Sequence, residues 1–376
     1  MNRLLELRDE IDTIDRQIYD LFAKRLDISC EVAEYKIQNN LNVFDPAREE
    51  QKLEDIAVRS DDAFLSQGMV ELFSQIMSIS KKKQYRMLAE AGRVRQNDFI
   101  CVDEFDFSDA TVVYQGVEGA YSQKAALTFF RKMNYAYHVE TWRDAMEALT
   151  SGHADYAVLP IENSTAGSVV ENYDLMVEYD VAIIGEQIIE IDHALLGLPE
   201  AKLSDIKTVY SHPQALMQCD GFLRTRPDWE AISLENTAVS AKKIREDGDI
   251  SQAAIAGEIN AKLYGLSVIR RAIQDESNNK TRFIIVTNKH IFRRNADTIT
   301  LCFELPDEKG SLYQSLSHFI FNGLNMTRIE SRPIRDKQWQ YRFFVDFLGN
   351  LRDDAVINAL RGLDEETTGL RVLGNY

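Results

Sequence analysis

Arg25 breaks a pattern. The apolar residues Leu7, Ile11, Ile14, Ile18, Leu21, Ile28, Val32 and Tyr35 recur at the three-four spacing of one long amphipathic helix, and Arg25 stands inside their stripe. A guanidinium on a buried face needs an anion beside it, because leaving it unpaired costs several kcal/mol. That anion is either a carboxylate of the chain, such as Glu31 or Glu49, or a ligand. Lys36 follows eleven residues later, about three helical turns and roughly 16 Å along the axis, so it points in nearly the same direction. Arg48 and Glu49 fall in the first turn of a second helix, and Ser80 and Gln84 make an i,i+4 pair late in a third. Long cations converging near hydroxyl and amide groups suit a small dianion. Arg8 precedes Arg25 by 17 residues, roughly 25 Å of helix, too far for both to hold one compact ligand within one chain. Arg8 is therefore either a solvated surface arginine or a residue lent to a second copy, which would require an intertwined helical dimer.

A second group of polar residues lies in loops that follow apolar runs. It comprises residues 116–122 (GVEGAYS), Glu162-Asn163-Ser164-Thr165 ahead of Gly167, Ser211-His212 with Gln214 and Gln218, Glu235, and Thr281 at the head of RFIIVTN. Taken singly, each is a cap, a turn or a β-branched residue suited to a strand. Taken together they furnish the rim of a cleft. A third group, Gly310-Ser311-Leu312-Tyr313 and Glu330-Ser331-Arg332-Pro333, reads on its own as an ordinary helix start and strand end.

The elements that must position these groups follow from periodicity. Residues 1–90 read as three helices, the second starting at Asp45-Pro46 with Asp as N-cap and Pro at the first helical position, the third covering about 63–87. Residues 91–109 hold charge without period and read as a linker. From 110 to 290 short apolar runs (TVVY, DYAVLPIEN, VAIIGEQIIEI, KTVYSHPQ, RFIIVTN) alternate with helical stretches, which predicts an α/β domain with a largely parallel sheet and ligands at the strand ends. Residues 297–376 read strand-helix-strand-strand-helix-strand, the ferredoxin-like βαββαβ order. The fold class is thus multidomain, α followed by α/β.

Composition excludes several functions. With 43 basic and 60 acidic residues the net charge is -17, which repels a phosphate backbone and excludes nucleic acid as a partner. Four scattered cysteines form no C-x-x-C pair, so free thiols in a reducing compartment are expected, with no disulfide framework and no metal site. No apolar run approaches the roughly 18 residues of a membrane span, no leader is seen at the charged N-terminus, and a cytoplasmic location is expected. The run Lys81-Lys82-Lys83 reads as a solvated helix end near the C-terminal dipole.

Three resemblances attach to these residues. LLELRDEIDTID, AKRLDISCEVAEYK and VFDPAREE, with Ser80 and Gln84, resemble the all-helical chorismate mutase family over about residues 1–87. The resemblance implies that Arg8 of a partner chain, with Arg25, Lys36 and Arg48, holds the carboxylates and ether oxygen of chorismate, and that Asp45, Glu49, Ser80 and Gln84 supply the remaining polar contacts. A Claisen rearrangement needs no acid, base or nucleophile, only a compact conformer and stabilisation of charge on the breaking ether bond, for which Lys36 and Gln84 would be the donors. A neutral Glu49 could add a hydrogen bond, favouring mildly acid pH.

GVEGAYSQKAA, PIENSTAGSV, VYSHPQALMQC and NKTRF resemble the prephenate dehydratase family over about residues 110–288. This implies a two-lobed fold similar to periplasmic binding proteins, prephenate in the cleft, and a critical role for Thr281. Asn163, Ser211, Gln218 and Glu235 would contact or support the substrate. A threonine is a very weak acid, so Glu162 or Glu235, raised by burial, is the expected source of the proton that leaves with the hydroxyl. Residues 297–376 resemble an ACT domain, with Gly310, Leu312, Glu330, Ser331, Arg332 and Pro333 at the place of an L-phenylalanine effector site and Tyr313 departing from the usual Gly-Ala-Leu-Val. Neither reaction calls for a cofactor, and a homodimer or higher homo-oligomer is expected.

Overall fold

The computed structural model describes residues 3–92, 98–276, 278–305, 307–334, 337 and 340–376. It divides into two compact units, one of Met1–Asp98 with Asp297–Val372, the other of Phe99–Ala296 with Leu373–Tyr376.

The first unit opens with α1 (Arg3–Asn39), α2 (Pro46–Ala57) and α3 (Ala63–Glu90). Asp45 caps α2, its Oδ1 accepting from the Arg48 amide at 3.1 Å, and Asp62 caps α3 by accepting from the Phe64 and Leu65 amides. The apolar stripe of α1 is largely uncovered: Ile11, Ile14, Ile18 and Leu21 are 53–66% exposed. Only near Ser29 and Ala33 is this helix buried.

The second unit begins inside the segment read as a linker. Ile100–Val102 form β1, and Phe105 and Phe107 pack on the neighbouring apolar core, so the described residues 98–109 are built into the unit. A three-residue strand has too few positions to show a period, and its partner lies nearly 200 residues away, Ile100 pairing with Ile291. The first lobe contains β2 (Thr111–Gln115), α4 (Tyr121–Phe129), β3 (Tyr135–Val139), α5 (Trp142–Thr150), β4 (Tyr156–Asn163), β5 (Gly167–Ser168), α6 (Val170–Glu178) and β6 (Ala182–Glu190). The chain crosses to the second lobe at 191–193. There it forms β7 (Ala194–Gly197), β8 (Thr208–Ser211), α7 (Pro213–Gln218), α8 (Asp220–Arg224), β9 (Glu230–Ser233), α9 (Thr237–Asp247), β10 (Gln252–Ala256), α10 (Ile259–Tyr264) and β11 (Ser267–Arg270). After β11 the chain returns to the first lobe as β12 (Lys280–Thr287) and β13 (Ile291–Arg293).

Both lobes hold mixed sheets, which corrects the expectation of a largely parallel one. β3-β2-β4 and β9-β8-β10 are parallel, whereas β12 runs antiparallel between β4 and β6, and β7 antiparallel between β10 and β11. The antiparallel strands flank the two crossings, where the chain enters a sheet from the opposite end. In the second lobe alternate residues of β7 and β10 join different cores, Leu195 and Ile255 on one face, Leu196 and Ala254 on the other. Both faces are covered, hence the unbroken apolar runs.

The chain then rejoins the first unit as β14 (Thr298–Glu304), α11 (Ser311–Phe321), β15 (Met326–Pro333), β16 (Tyr341–Leu348), α12 (Asp354–Glu366) and the first part of β17 (Thr368–Asn375), with the sheet order β15-β16-β14-β17. Cys30, Cys101, Cys219 and Cys302 are free thiols. Among the described residues, no helix is long and apolar enough to cross a membrane.

Candidate active sites

In the helical segment, α1 and α3 bring Arg25, Lys36, Ser80 and Gln84 to one side. Arg25 Nη1 donates to Ser80 Oγ at 2.5 Å, and Gln84 Nε2 donates to Ser29 Oγ at 2.9 Å, leaving Gln84 Oε1 buried without a donor. The partner of the stripe-breaking arginine is therefore a hydroxyl, neither Glu31 nor Glu49. Burial lowers the Arg25 pKa. Lys36 Nζ donates to the Val43 carbonyl at 2.7 Å, and burial lowers its pKa against the opposing charges of Asp45, Glu365 and Glu49. Glu49 shifts the other way: burial raises its pKa, Lys81 opposes, and the charges of Glu366 and Asp45 add to the rise. Arg48 is exposed on α2, and Arg8 is exposed near the start of α1.

The lysine run corrects the sequence reading. Lys81 and Lys82 are only 6% and 4% exposed. Lys81 Nζ lies 3.1 Å from Glu49 and 2.9 Å from Glu366, and Lys82 Nζ donates to Ser317 Oγ at 2.8 Å. The end of α3 is covered by α11 and α12 of its own unit. Lys81, Glu365 and Glu366 are thus neighbours of this site that no local pattern disclosed.

In the second unit the strand register fixes the polar cluster. Thr281 on β12 pairs with Asn163 at the end of β4, and Asn163 Nδ2 donates to Thr281 Oγ1 at 2.9 Å and to Asn279 Oδ1 at 2.8 Å. Asn163 Oδ1 accepts from the Thr165 amide and hydroxyl, at 3.0 and 2.7 Å. Thr165 Oγ1 in turn accepts from Gln218 Nε2 at 2.7 Å, which links the first lobe to α7 of the second. Gln218 Oε1 stands 3.0 Å from His193 Nε2; since a carbonyl only accepts, His193 carries its proton there. His193 lies in the first crossing, 2% exposed, and burial lowers its pKa despite Gln218 and Asp192.

A cavity of about 590 Å³ opens here, lined among others by Thr165, His212, Gln218, Gln274 and Asn279. The second lobe is also tied to the GVEGAYS loop, because Asn260 Nδ2 donates to the Gly119 carbonyl at 3.1 Å and Tyr264 to the Glu118 carbonyl at 2.6 Å. Gly119 has φ +92, and a Cβ there would stand 2.1 Å from Asn260 Oδ1, so only glycine fits.

Three residues fall elsewhere than the sequence reading put them. Glu162 pairs with Arg282, one position out of phase with Thr281, so strand alternation turns it to the opposite face from Thr281 and Asn163. Glu235 is exposed, so the burial invoked for its proton is absent. Ser211 is fully buried and donates to the Ile255 carbonyl at 2.6 Å, locking β8 to β10 rather than lining the cavity.

In the C-terminal segment Arg342 of β16 faces Glu304 of β14 on one side and Arg332 of β15 on the other. Glu330-Ser331-Arg332-Pro333 therefore ends at the same sheet end from which β14 leads to Gly310, the left-handed N-cap of α11 at φ 83. Leu312 is half-buried and Tyr313 is 59% exposed.

Comparison with known proteins adds independent findings. Residues 7–85 match chorismate mutase type II and residues 112–291 match prephenate dehydratase. The bifunctional chorismate mutase/prephenate dehydratase of Buchnera aphidicola subsp. Acyrthosiphon pisum is 33% identical over 382 residues, covering 100% of this chain and 96% of that protein. The bifunctional chorismate mutase/prephenate dehydratase of Aquifex aeolicus is also 33% identical, covering 100% and 98%. The solved prephenate dehydratase of Arthrobacter aurescens, in complex with L-Phe, superposes with a TM-score of 0.65 at 31% identity, covering 71% of this chain and 89% of that one.

Proposed function

The chain belongs to the family of bifunctional chorismate mutase/prephenate dehydratases, and from that premise we propose how its residues divide two consecutive reactions. It converts chorismate to prephenate and prephenate to phenylpyruvate, in phenylalanine biosynthesis. The observation that carries this is the match of both families along one chain whose relatives align over its whole length.

In the mutase step Arg25, Lys36 and Arg48 hold the carboxylates of chorismate, with Arg8 supplied by a second copy of the chain. Asp45 and Ser80 align them, the former by capping the helix that carries Arg48 and the latter through its bond to Arg25. Lys36 and Gln84 release their bonds to Val43 and Ser29 and donate to the ether oxygen as its C–O bond breaks and charge grows on it. Glu49, in its neutral form, adds a donor. The exposed apolar stripe of α1 supports a homodimer in which the two long helices bury one another.

In the dehydratase step prephenate lies in the cleft of a two-lobed body similar to periplasmic binding proteins. The ring carboxylate leaves as carbon dioxide, its bonding electrons aromatise the ring, and the 4-hydroxyl departs as water on accepting one proton. Thr281 accepts from Asn163, which leaves its own O–H to donate to the departing hydroxyl. Gln218 completes the site from the other lobe, and Ser211 holds the strand beside it. Glu235, exposed after β9 of the second lobe, brings the proton when the lobes close and exclude water; Glu162, turned to the other face, supports the strand pair.

The C-terminal segment is an ACT domain that senses L-phenylalanine through Gly310, Leu312, Glu330, Ser331, Arg332 and Pro333. Its strand order, the shared sheet end and the L-Phe held by the Arthrobacter relative support this. The mutase domain spans about 1–90, the dehydratase domain 99–296 with β1 and β13 included, and the ACT domain 297–376, and the location is the cytoplasm. The deciding experiment supplies chorismate alone to the purified chain and to Thr281→Ala. Wild type forms phenylpyruvate, while the variant stops at prephenate; normal phenylpyruvate formation by the variant would remove Thr281 from the mechanism.

A further inference from the structure

Lys81 sits between two carboxylates of different origin. Glu49 belongs to α2 and to the proposed chorismate site, at 3.1 Å; Glu366 belongs to the last turn of α12, at 2.9 Å. The other oxygen of Glu366 is 3.0 Å from His318 Nε2 of α11. One residue earlier, Glu365 Oε2 accepts from the Val43 and Phe44 amides at 3.0 and 2.9 Å. The carbonyl of that same Val43 holds Lys36 Nζ at 2.7 Å. Lys81 Nζ also stands 4.5 Å above the Phe44 ring. Two consecutive carboxylates of the C-terminal segment thus reach both the ammonium group beside Glu49 and the loop that anchors Lys36.

We propose that Lys81 and Glu366 are positioning residues for the mutase step: Glu366 shares the Lys81 ammonium with Glu49, so the C-terminal segment sets how much positive charge Glu49 feels. The proposal rests on Glu49 belonging to the chorismate site. A lysine shared by two carboxylates cannot neutralise both, and at this buried place the charge that Lys81 leaves unmet on Glu366 falls to His318. With Glu366 present, burial and the Glu366 charge hold the Glu49 carboxyl above its ordinary range, where its neutral form does not repel a dianionic substrate. Remove Glu366 and Lys81 turns wholly to Glu49, which then ionises more readily. The other groups facing this point are Lys36 from α1, Asp45 at the α2 cap, Lys82 and Tyr85 from α3, Glu365 from α12 and, behind Glu366, His318.

The test is the pH profile of mutase kcat/KM in the full chain for wild type, Glu366→Gln, Glu366→Asp and Glu49→Gln, with circular dichroism of the same samples as the measure of folding. In wild type kcat/KM falls as pH rises through the Glu49 titration. Glu366→Gln is expected to move that limb down by about one pH unit, giving about a tenfold loss on the limb, expressed mainly as a higher KM for chorismate. Glu366→Asp, which keeps the charge but withdraws it, gives a smaller shift in the same direction and serves if the Gln variant does not fold. Profiles of the folded Glu366 variants that superimpose on wild type overturn the proposal. Glu49→Gln is expected to lose the limb; if it keeps the wild-type profile, Glu49 is not the titrating group and the assignment of Glu49 to the site falls instead.

Discussion

Asn163 Nδ2 stands 2.9 Å from Thr281 Oγ1, although 118 positions separate the two residues in the chain. One amide thereby fixes the Thr281 hydroxyl as an acceptor on its side and, through Oδ1, orders the Thr165 turn that meets Gln218. Asn163→Ala removes both functions while leaving the β4–β12 backbone ladder intact. Dehydratase kcat should fall about 10²-fold, the size of losing one preorganised donor to a developing charge. Mutase turnover, measured on chorismate in the same preparation, should be unchanged.

The two candidate proton donors separate on register. Glu162 shares its face with Arg282, whose Nε donates to Glu186 at 2.6 Å, whereas Glu235 follows β9 at the carboxyl end of the second lobe's sheet. Glu235→Gln should therefore depress dehydratase kcat about 10²-fold or more, the loss expected for a general acid. Glu162→Gln should act mainly on stability. The opposite ranking, in steady-state assays on prephenate, would return the proton to Glu162.

Much of this arrangement was legible because its signals are local. The cap Asp45 acts on an amide three residues away, and the βαββαβ order is written in successive periods. Arg25 announced a site because a cation interrupts an apolar stripe, yet its actual partner, Ser80, is 55 residues distant, and spacing alone offered Glu31 or Glu49 in its place. The Lys81-Lys82-Lys83 run was misread for the converse reason: solvent normally covers such a run, and what covers it here is Glu366, 285 residues later. Strand direction was illegible too. An apolar run such as RFIIVTN suits either direction, and only the two lobe crossings make β12 antiparallel to both neighbours.

Arg8 is exposed and separated from Arg25 along one helix, so its proposed role makes a prediction that needs two chains. Arg8→Ala and Arg25→Ala homodimers should each lack mutase activity. In a mixed dimer, the site on the Arg8→Ala chain keeps its own Arg25 and receives Arg8 from its neighbour. Co-refolding equal amounts makes half the dimers mixed, each with one intact site, so about a quarter of wild-type activity should return. No recovery in the mixture, with each variant dimeric by sedimentation, would leave Arg8 a surface residue.

The Glu366 cluster should also mark the acid limit of its unit. Burial by itself would raise this carboxyl, but the His318 hydrogen bond and charge and the Lys81 ammonium more than offset it, bringing the pKa from an ordinary 4.5 down to about 2. A carboxylate with a depressed folded-state pKa adds stability that is fully present above the unfolded value and is lost as pH falls through the folded one. The stabilisation at neutral pH is on the order of 3 kcal/mol, and it should drain away between pH 4.5 and about 2. Replacing Glu366 by Gln deletes this dependence and leaves Lys81 with Glu49 as its remaining carboxylate partner, so the variant should be less stable at pH 7 yet approach wild type near pH 3. Urea unfolding followed by circular dichroism at the two pH values checks the convergence; an equal deficit at both would mean that the cluster's charge contributes nothing and only its packing does.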